Sequence, residues 1–168
     1  MKTIFSILKT GLILLLILYS CSSEEVLVDN NPIIGSWIYE SAEVGEVETN
    51  SKNNSELIKP YIIKRGDYWF NGFEYVFKPY GKLESSRYGG TAKHATYTFS
   101  NGLLTATIEG GSTQTLKAKI VRDILIMEHD VTDDCNDIKI KDLLELGIDD
   151  INFNTVKAIA IIKFRKQQ

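Results

Sequence analysis

From residue 72 onward, apolar and polar residues alternate in short runs, and each run stops at a turn signal. A period of two marks strands with one buried face, because successive side chains on a strand point to opposite sides. In Gly72 to Lys78, Phe73, Tyr75 and Phe77 share a face, with Glu74 and Lys78 on the other. Pro79-Tyr80-Gly81-Lys82 reads as a tight turn, Pro presetting one corner and Gly accepting the left-handed position. Leu83 to Tyr88 ends at Gly89-Gly90, and His94 to Ser100 sets Tyr97 and Phe99 against Thr96 and Thr98. Asn101-Gly102 is the strongest short hairpin signal, because both corners of such a turn need positive φ. Leu103 to Glu109, Thr113 to Val121 and Ile124 to Asp130 follow, separated by Gly110-Gly111 and Arg122-Asp123. Ile34 to Ser41 supplies the first strand. Val156 to Arg165 supplies the last, and its apolar residues on both sides suggest a strand covered on both faces.

Eight strands joined mostly by hairpins predict an all-β domain, an eight-stranded antiparallel up-and-down barrel. Closure removes exposed sheet edges, and a barrel of this size can hold one small ligand or be filled by its own side chains. A two-sheet sandwich would give the same strand signals. Two segments interrupt the meander. Ala42 to Lys59 is rich in Glu, Asn and Ser and reads as a long loop, a length that usually marks function or disorder. Asp130 to Thr155 is the second; within it Ile138 to Leu146 predicts one short helix before the last strand, with Asp137 as N-cap and Gly147 as its stop.

The N-terminus has a different pattern. Lys2 and Lys9 precede the apolar run Leu12 to Leu18, which is too short for a membrane span and matches the core of a secretion signal. The run ends Leu18-Tyr19-Ser20-Cys21, which resembles a bacterial lipobox; Tyr19 stands where a small residue is usual, so the match is to the looser form of the Bacteroidota. The resemblance implies a signal peptide over 1–20, and an acylated Cys21 opening a flexible tether over 21–31. The barrel domain then spans 32–168. Several acyl chains anchor a protein stably where one does so marginally, so an outer-membrane lipoprotein held through Cys21 is expected. Ser22-Ser23-Glu24-Glu25 resembles the surface-export signal of such lipoproteins, which implies display at the cell surface.

Four further motifs resemble those of lipocalins and of bacterial lipocalin-like lipoprotein domains. They are Gly35-Ser36-Trp37 at the head of the first strand, Phe77-Lys78-Pro79-Tyr80-Gly81-Lys82, Tyr97 to Leu104, and Phe164-Arg165-Lys166 at the end. Together they cover roughly residues 32–166. The resemblance implies that Trp37 closes one barrel end under the guanidinium of Arg165, a cation–π contact of ~0.5–2 kcal/mol.

The candidate ligand-facing positions are Tyr75, Phe77, Tyr97 and Phe99, with Trp69 and Met127, since pockets are mostly apolar with a few placed polar groups. The acidic run Asp130, Asp133, Asp134, Asn136 and Asp137 carries oxygen ligands suited to calcium, yet lacks the central Gly and final Glu of an EF-hand loop. It is read as a solvated loop, and no metal or cofactor is expected. His94 and His129 fall on different strands, Cys135 lies among carboxylates that suppress a thiolate, and no hydrolase, metalloprotease or phosphate-loop motif is present. The expectation is therefore a non-enzymatic protein. With 19 basic against 22 acidic residues, and Lys2 and Lys9 lost with the signal, no basic stripe remains for nucleic acid. The expected partner, besides the membrane at Cys21, is either a small apolar ligand in the barrel or an envelope protein docked on its wall and long loops.

Overall fold

The computed structural model describes residues 31–168; the expected signal peptide, Cys21 and most of the tether lie outside the described residues. The chain forms a closed barrel in which each strand pairs with the next and the last returns to the first. The strands are β1 (Gly35–Thr49), β2 (Phe73–Lys78), β3 (Lys82–Arg87), β4 (Lys93–Ser100), β5 (Leu103–Ile108), β6 (Thr113–Val121), β7 (Ile124–Asp130) and β8 (Thr155–Lys166). All neighbours are antiparallel, β1 with β8 included. The hairpin chemistry is as read: Asn101 and Gly102 sit at φ 52° and 74°, the positive values that let a two-residue turn follow the strand twist.

The inward face is the alternating apolar one. Tyr97, Leu104, Ala118, Leu125 and Met127 are buried from β4 to β7, and Ala158, Ala160, Ile162 and Phe164 from β8. The outer wall of β4, β5 and β6 is a threonine lattice. Thr107 faces Thr96 and Thr113, and Thr105 faces Thr98 and Thr115. The hydroxyls of the Thr105–Thr115 and Thr107–Thr113 pairs lie 2.9 and 2.8 Å apart, the cross-strand contact that supports an exposed sheet face. β8 is not covered on its outer side. Ile159 and Ile161 are half-buried there, and Gly45 makes room for Ile161, whose Cδ1 lies 2.9 Å from where a Cβ on residue 45 would sit.

The expected long loop is not a loop. β1 runs on to Thr49, and register shifts between Tyr39 and Ser41 and between Val44 and Val47 keep Tyr39, Ala42, Val44 and Val47 turned towards the core. A bulge inserts one residue and so moves the alternation by one, which hid the strand from a strict period of two. Two helices follow, α1 (Lys52–Leu57) and α2 (Lys59–Phe70). Ile58, Ile62, Gly66 and Phe70 recur every fourth residue and are all buried; Pro60 occupies the first turn, where a missing N–H costs nothing.

Before β8 come α3 (Thr132–Asn136) and α4 (Ile140–Glu145). Asp137 closes α3 instead of opening the next helix, its N–H bonding the Asp133 carbonyl at 2.8 Å. Lys139 takes the N-cap position of α4. Gly147 stops α4 at φ 78°, with the N–H groups of Gly147 and Ile148 returning to the carbonyls of Leu144 and Leu143, a Schellman ending.

Candidate functional site

The two barrel ends are built differently. At the closed end Trp37 is fully buried, and its indole N–H donates to the Ile33 carbonyl at 2.6 Å. The cation over its ring is Lys166, with Nζ 5.3 Å from the centroid, and not Arg165. Strand parity decides this. Lys166 is opposite Trp37 in the β1–β8 ladder, while Arg165 is opposite Ile38 on the outer wall, where it pairs with Glu40. Gly35 lets Lys166 through, since a Cβ there would sit 2.7 Å from Lys166 Cε.

The other end is the mouth where a ligand would enter, and α2 lies across part of it. Gly66 is what allows the approach: a Cβ on it would lie 2.7 Å from the Ala42 Cβ, 3.0 Å from Ile162 Cδ1 and 3.5 Å from the Ala160 Cβ. Phe70 at the end of α2 reaches the core, with ring centroids 6.1 Å from Phe164 and 6.3 Å from Phe73. Beneath it remains a hollow of about 60 Å³, lined among others by Phe70, Tyr75, Phe77, Leu104, Gln114 and Met127.

Three of the six predicted ligand-facing residues, Tyr75, Phe77 and Met127, therefore meet at one hollow. Tyr97 lies behind them, edge-on to Phe77 at 4.9 Å, with its hydroxyl donating to the Lys78 carbonyl at 3.2 Å. Phe99 is half-buried against the core and does not line the hollow. Trp69 is outside the barrel on α2, 44% exposed, its indole N–H 3.3 Å from an oxygen of Asp134. Phe70, its neighbour, is the residue that enters. The four-residue spacing from Ile58 is the signal that points to it, and Gly66 interrupts that signal.

The hollow has one polar feature besides Gln114. The Tyr75 hydroxyl has its pKa pushed up to about 12 by burial alone, with no charged or hydrogen-bonding neighbour contributing. The plug is fastened by polar contacts on both flanks. On one side the Tyr39 hydroxyl bonds Asp67 on α2; burial first, then that carboxylate, raises the Tyr39 pKa. On the other side Arg65 forms an ion pair with Asp134 of α3, stacked near the rings of Tyr68 (4.9 Å) and Trp69 (5.4 Å), and the Tyr61 hydroxyl donates to the Asp134 carbonyl at 3.3 Å. His129, edge-on to Phe70 at 5.1 Å, is held below its ordinary pKa, chiefly by burial.

Three of the five side chains of the acidic run around α3 bond within the protein, and Asp133 and Asp137 are exposed. Asp130 accepts from the Thr132 N–H at 2.9 Å, Asp134 holds Arg65, and Asn136 spans the backbone N–H and carbonyl of Thr155 at 2.7 and 2.9 Å. Among the described residues no three His, Cys, Asp or Glu side chains converge on one point. Cys135 is fully buried, and burial followed by the Asp134 charge pushes its thiol up to about 12. Native protein at pH 8 should therefore resist iodoacetamide, while urea-unfolded protein is alkylated at the rate of an ordinary thiol; mass spectrometry reads the adduct. The same shift has a stability sign. The unfolded thiol ionises near pH ~8.5 while the native one stays protonated, so its stabilising contribution is complete below that value and is lost as pH rises towards 12.

The chain matches no family model, no curated protein and no solved structure. What the protein does must be argued from the barrel itself.

Proposed function

We propose that this chain is a lipid-anchored, non-enzymatic docking module of the bacterial lipocalin-like lipoprotein kind, whose barrel is filled and whose partner binds the outside. The observation that carries this reading is the mouth. A hollow of about 60 Å³ is several times smaller than the ~300–1,000 Å³ of ordinary small-molecule pockets. The helix over it is held by Tyr39–Asp67 and Arg65–Asp134 and seated on Gly66. The larger depression, about 330 Å³, is on the outer wall between Glu40, Glu43, Val121, Ile126, Lys163 and Arg165.

A second reading, a binder of a small apolar ligand, has one observation in its favour: half-buried Tyr75 lines the hollow, and burial alone raises its pKa. A ligand there would have to displace α2. Titration with cis-parinaric acid separates the two readings. We expect no saturable fluorescence change. A saturable one, competed by fatty acid, would transfer the conclusion to the apolar binder.

Anchoring is proposed on the Leu18 to Cys21 motif and the run that precedes it. It places the barrel at the outer membrane, and the Ser22 to Glu25 run favours its outer face. Metabolic labelling with palmitate should mark the wild-type chain and fail on Cys21→Ser.

A further inference from the structure

β1 is longer than one of its neighbours can cover. It pairs with β2 only over Gly35–Ile38 but with β8 over Trp37–Thr49. Past Ile38, one side of its backbone meets no other strand among the described residues. β2 does not extend to cover it, because Gly72, at φ 79°, turns the chain away before Phe73.

The corresponding overhang of β8 is finished off. The Val131 N–H donates to the Ala158 carbonyl, Thr132 Oγ1 accepts from the Ala158 N–H, and Asn136 takes both backbone groups of Thr155. α2 packs over the inner face of β1 at Ala42 and bonds Tyr39 through Asp67, but among the described residues no main-chain cap of that kind lies along the edge itself. Between Glu40 and Glu48 no backbone group bonds to a described residue outside the ladders, and the first such contact is the Thr49 N–H on Ser55 Oγ at 3.2 Å. Glu43, Gly45, Glu46 and Glu48 are exposed.

We propose that this open edge, Glu40 to Glu48, is the docking site of the function proposed above, on which this inference rests. It takes an extended segment of the partner as an added strand. Main-chain hydrogen bonds give such strand addition its affinity, and alternate side chains give it specificity. The edge is ~30 Å long at ~3.4 Å per residue. Its charge selects the occupant. Residues 39–49 contain Glu40, Glu43, Glu46 and Glu48 and no basic residue. Arg165, Lys163 and Lys157 on β8 answer the first three, and Glu48 has no ion-pair partner among the described residues.

Like charges directly opposite one another destabilise a strand pair, so a second copy of this edge is a poor occupant. An added strand with basic residues outward would meet Glu48, which has no ion-pair partner among the described residues, and would compete with Lys157, Lys163 and Arg165 for the other three glutamates, while apolar residues inward would lie beside half-buried Val44 and Val47. The partner is therefore a protein segment that alternates basic and apolar residues.

Hydrogen exchange of the full chain in mild detergent tests this with a synthetic peptide of about eight residues alternating Lys and Val. We expect about tenfold slower exchange at Ser41 to Glu48, weakened by salt. A Glu/Val peptide, or the Lys/Val peptide methylated on alternate backbone nitrogens, should give none. Three results would overturn the assignment: no protection from the Lys/Val peptide, equal protection from the methylated one, or concentration-dependent protection without peptide, which would mean two copies pair. Failure here with a flat cis-parinaric acid titration removes the edge and leaves the docking reading. A saturable titration removes the docking reading itself.

Discussion

Replacing Phe164 by alanine is expected to lower the free energy of unfolding by about 3–5 kcal/mol. Phe164 is fully buried, and its ring joins three separate parts of the fold. It lies 5.0 Å from Tyr75 on β2, 5.8 Å from Tyr39 on β1 and 6.1 Å from Phe70 on α2. Truncation takes away the transfer free energy of the ring and leaves a void that four elements cannot fill at once. Domains of this size have only ~5–15 kcal/mol in total, so the variant should sit near the limit of folding. Urea unfolding measures it, as a lower midpoint at unchanged m-value. A loss below about 1 kcal/mol would show that the strands and the plug do not share one core.

Gly66→Leu is the second large effect, and it bears on function as well as stability. Inside a helix, replacing glycine ordinarily gains up to about 1 kcal/mol. Here the gain is outweighed, because even a Cβ would stand 2.7 Å from the Ala42 Cβ and 3.0 Å from Ile162 Cδ1. Both lie in the paired β1–β8 wall. Forcing a leucine into that contact should cost about 1–3 kcal/mol and lift α2 from the mouth. The lifted helix withdraws Phe70 and opens the hollow above Tyr75. We expect Gly66→Leu to bind cis-parinaric acid where the wild type does not. Unchanged stability together with an unchanged flat titration would mean that the seat at Gly66 does not hold the plug.

The legible parts of this fold were those whose signals are local. Asn101-Gly102 needs only its own two backbone angles, and alternation alone puts Tyr75 and Phe77 on one strand face; that this face, with Met127, points inward is decided by closure of the barrel. The parts that were missed depend on a distant partner. β1 is glutamate-rich and bulged between Tyr39 and Ser41 and again between Val44 and Val47, so its inward residues Tyr39, Ala42, Val44 and Val47 do not keep a strict alternation. Only the pairing with β8 reveals it as strand. α2 carries its buried stripe through a glycine that has no hydrophobicity to register; Gly66 is explained by Ala42 and Ile162, residues far off in the chain. The resemblance implies Arg165 over Trp37, but ladder register, not motif position, sets which residue of β8 reaches the ring, and that residue is Lys166. Trp69, expected among the ligand-facing residues, lies outside the barrel, and the helix it sits on turns Phe70 inward.

The opening strand of this barrel is completed by its closing one. The ion pairs across that seam join Glu43 to Lys163 and Glu40 to Arg165, residues separated by 120 and 125 positions. Contacts of such span form late, because a long loop must close before they return anything. A ribosome emitting this polypeptide must reach Lys166 before the seam can zip. Any machinery that threads such a chain through a pore meets a polymer that has not yet set, and the fold locks only after β8 has come through.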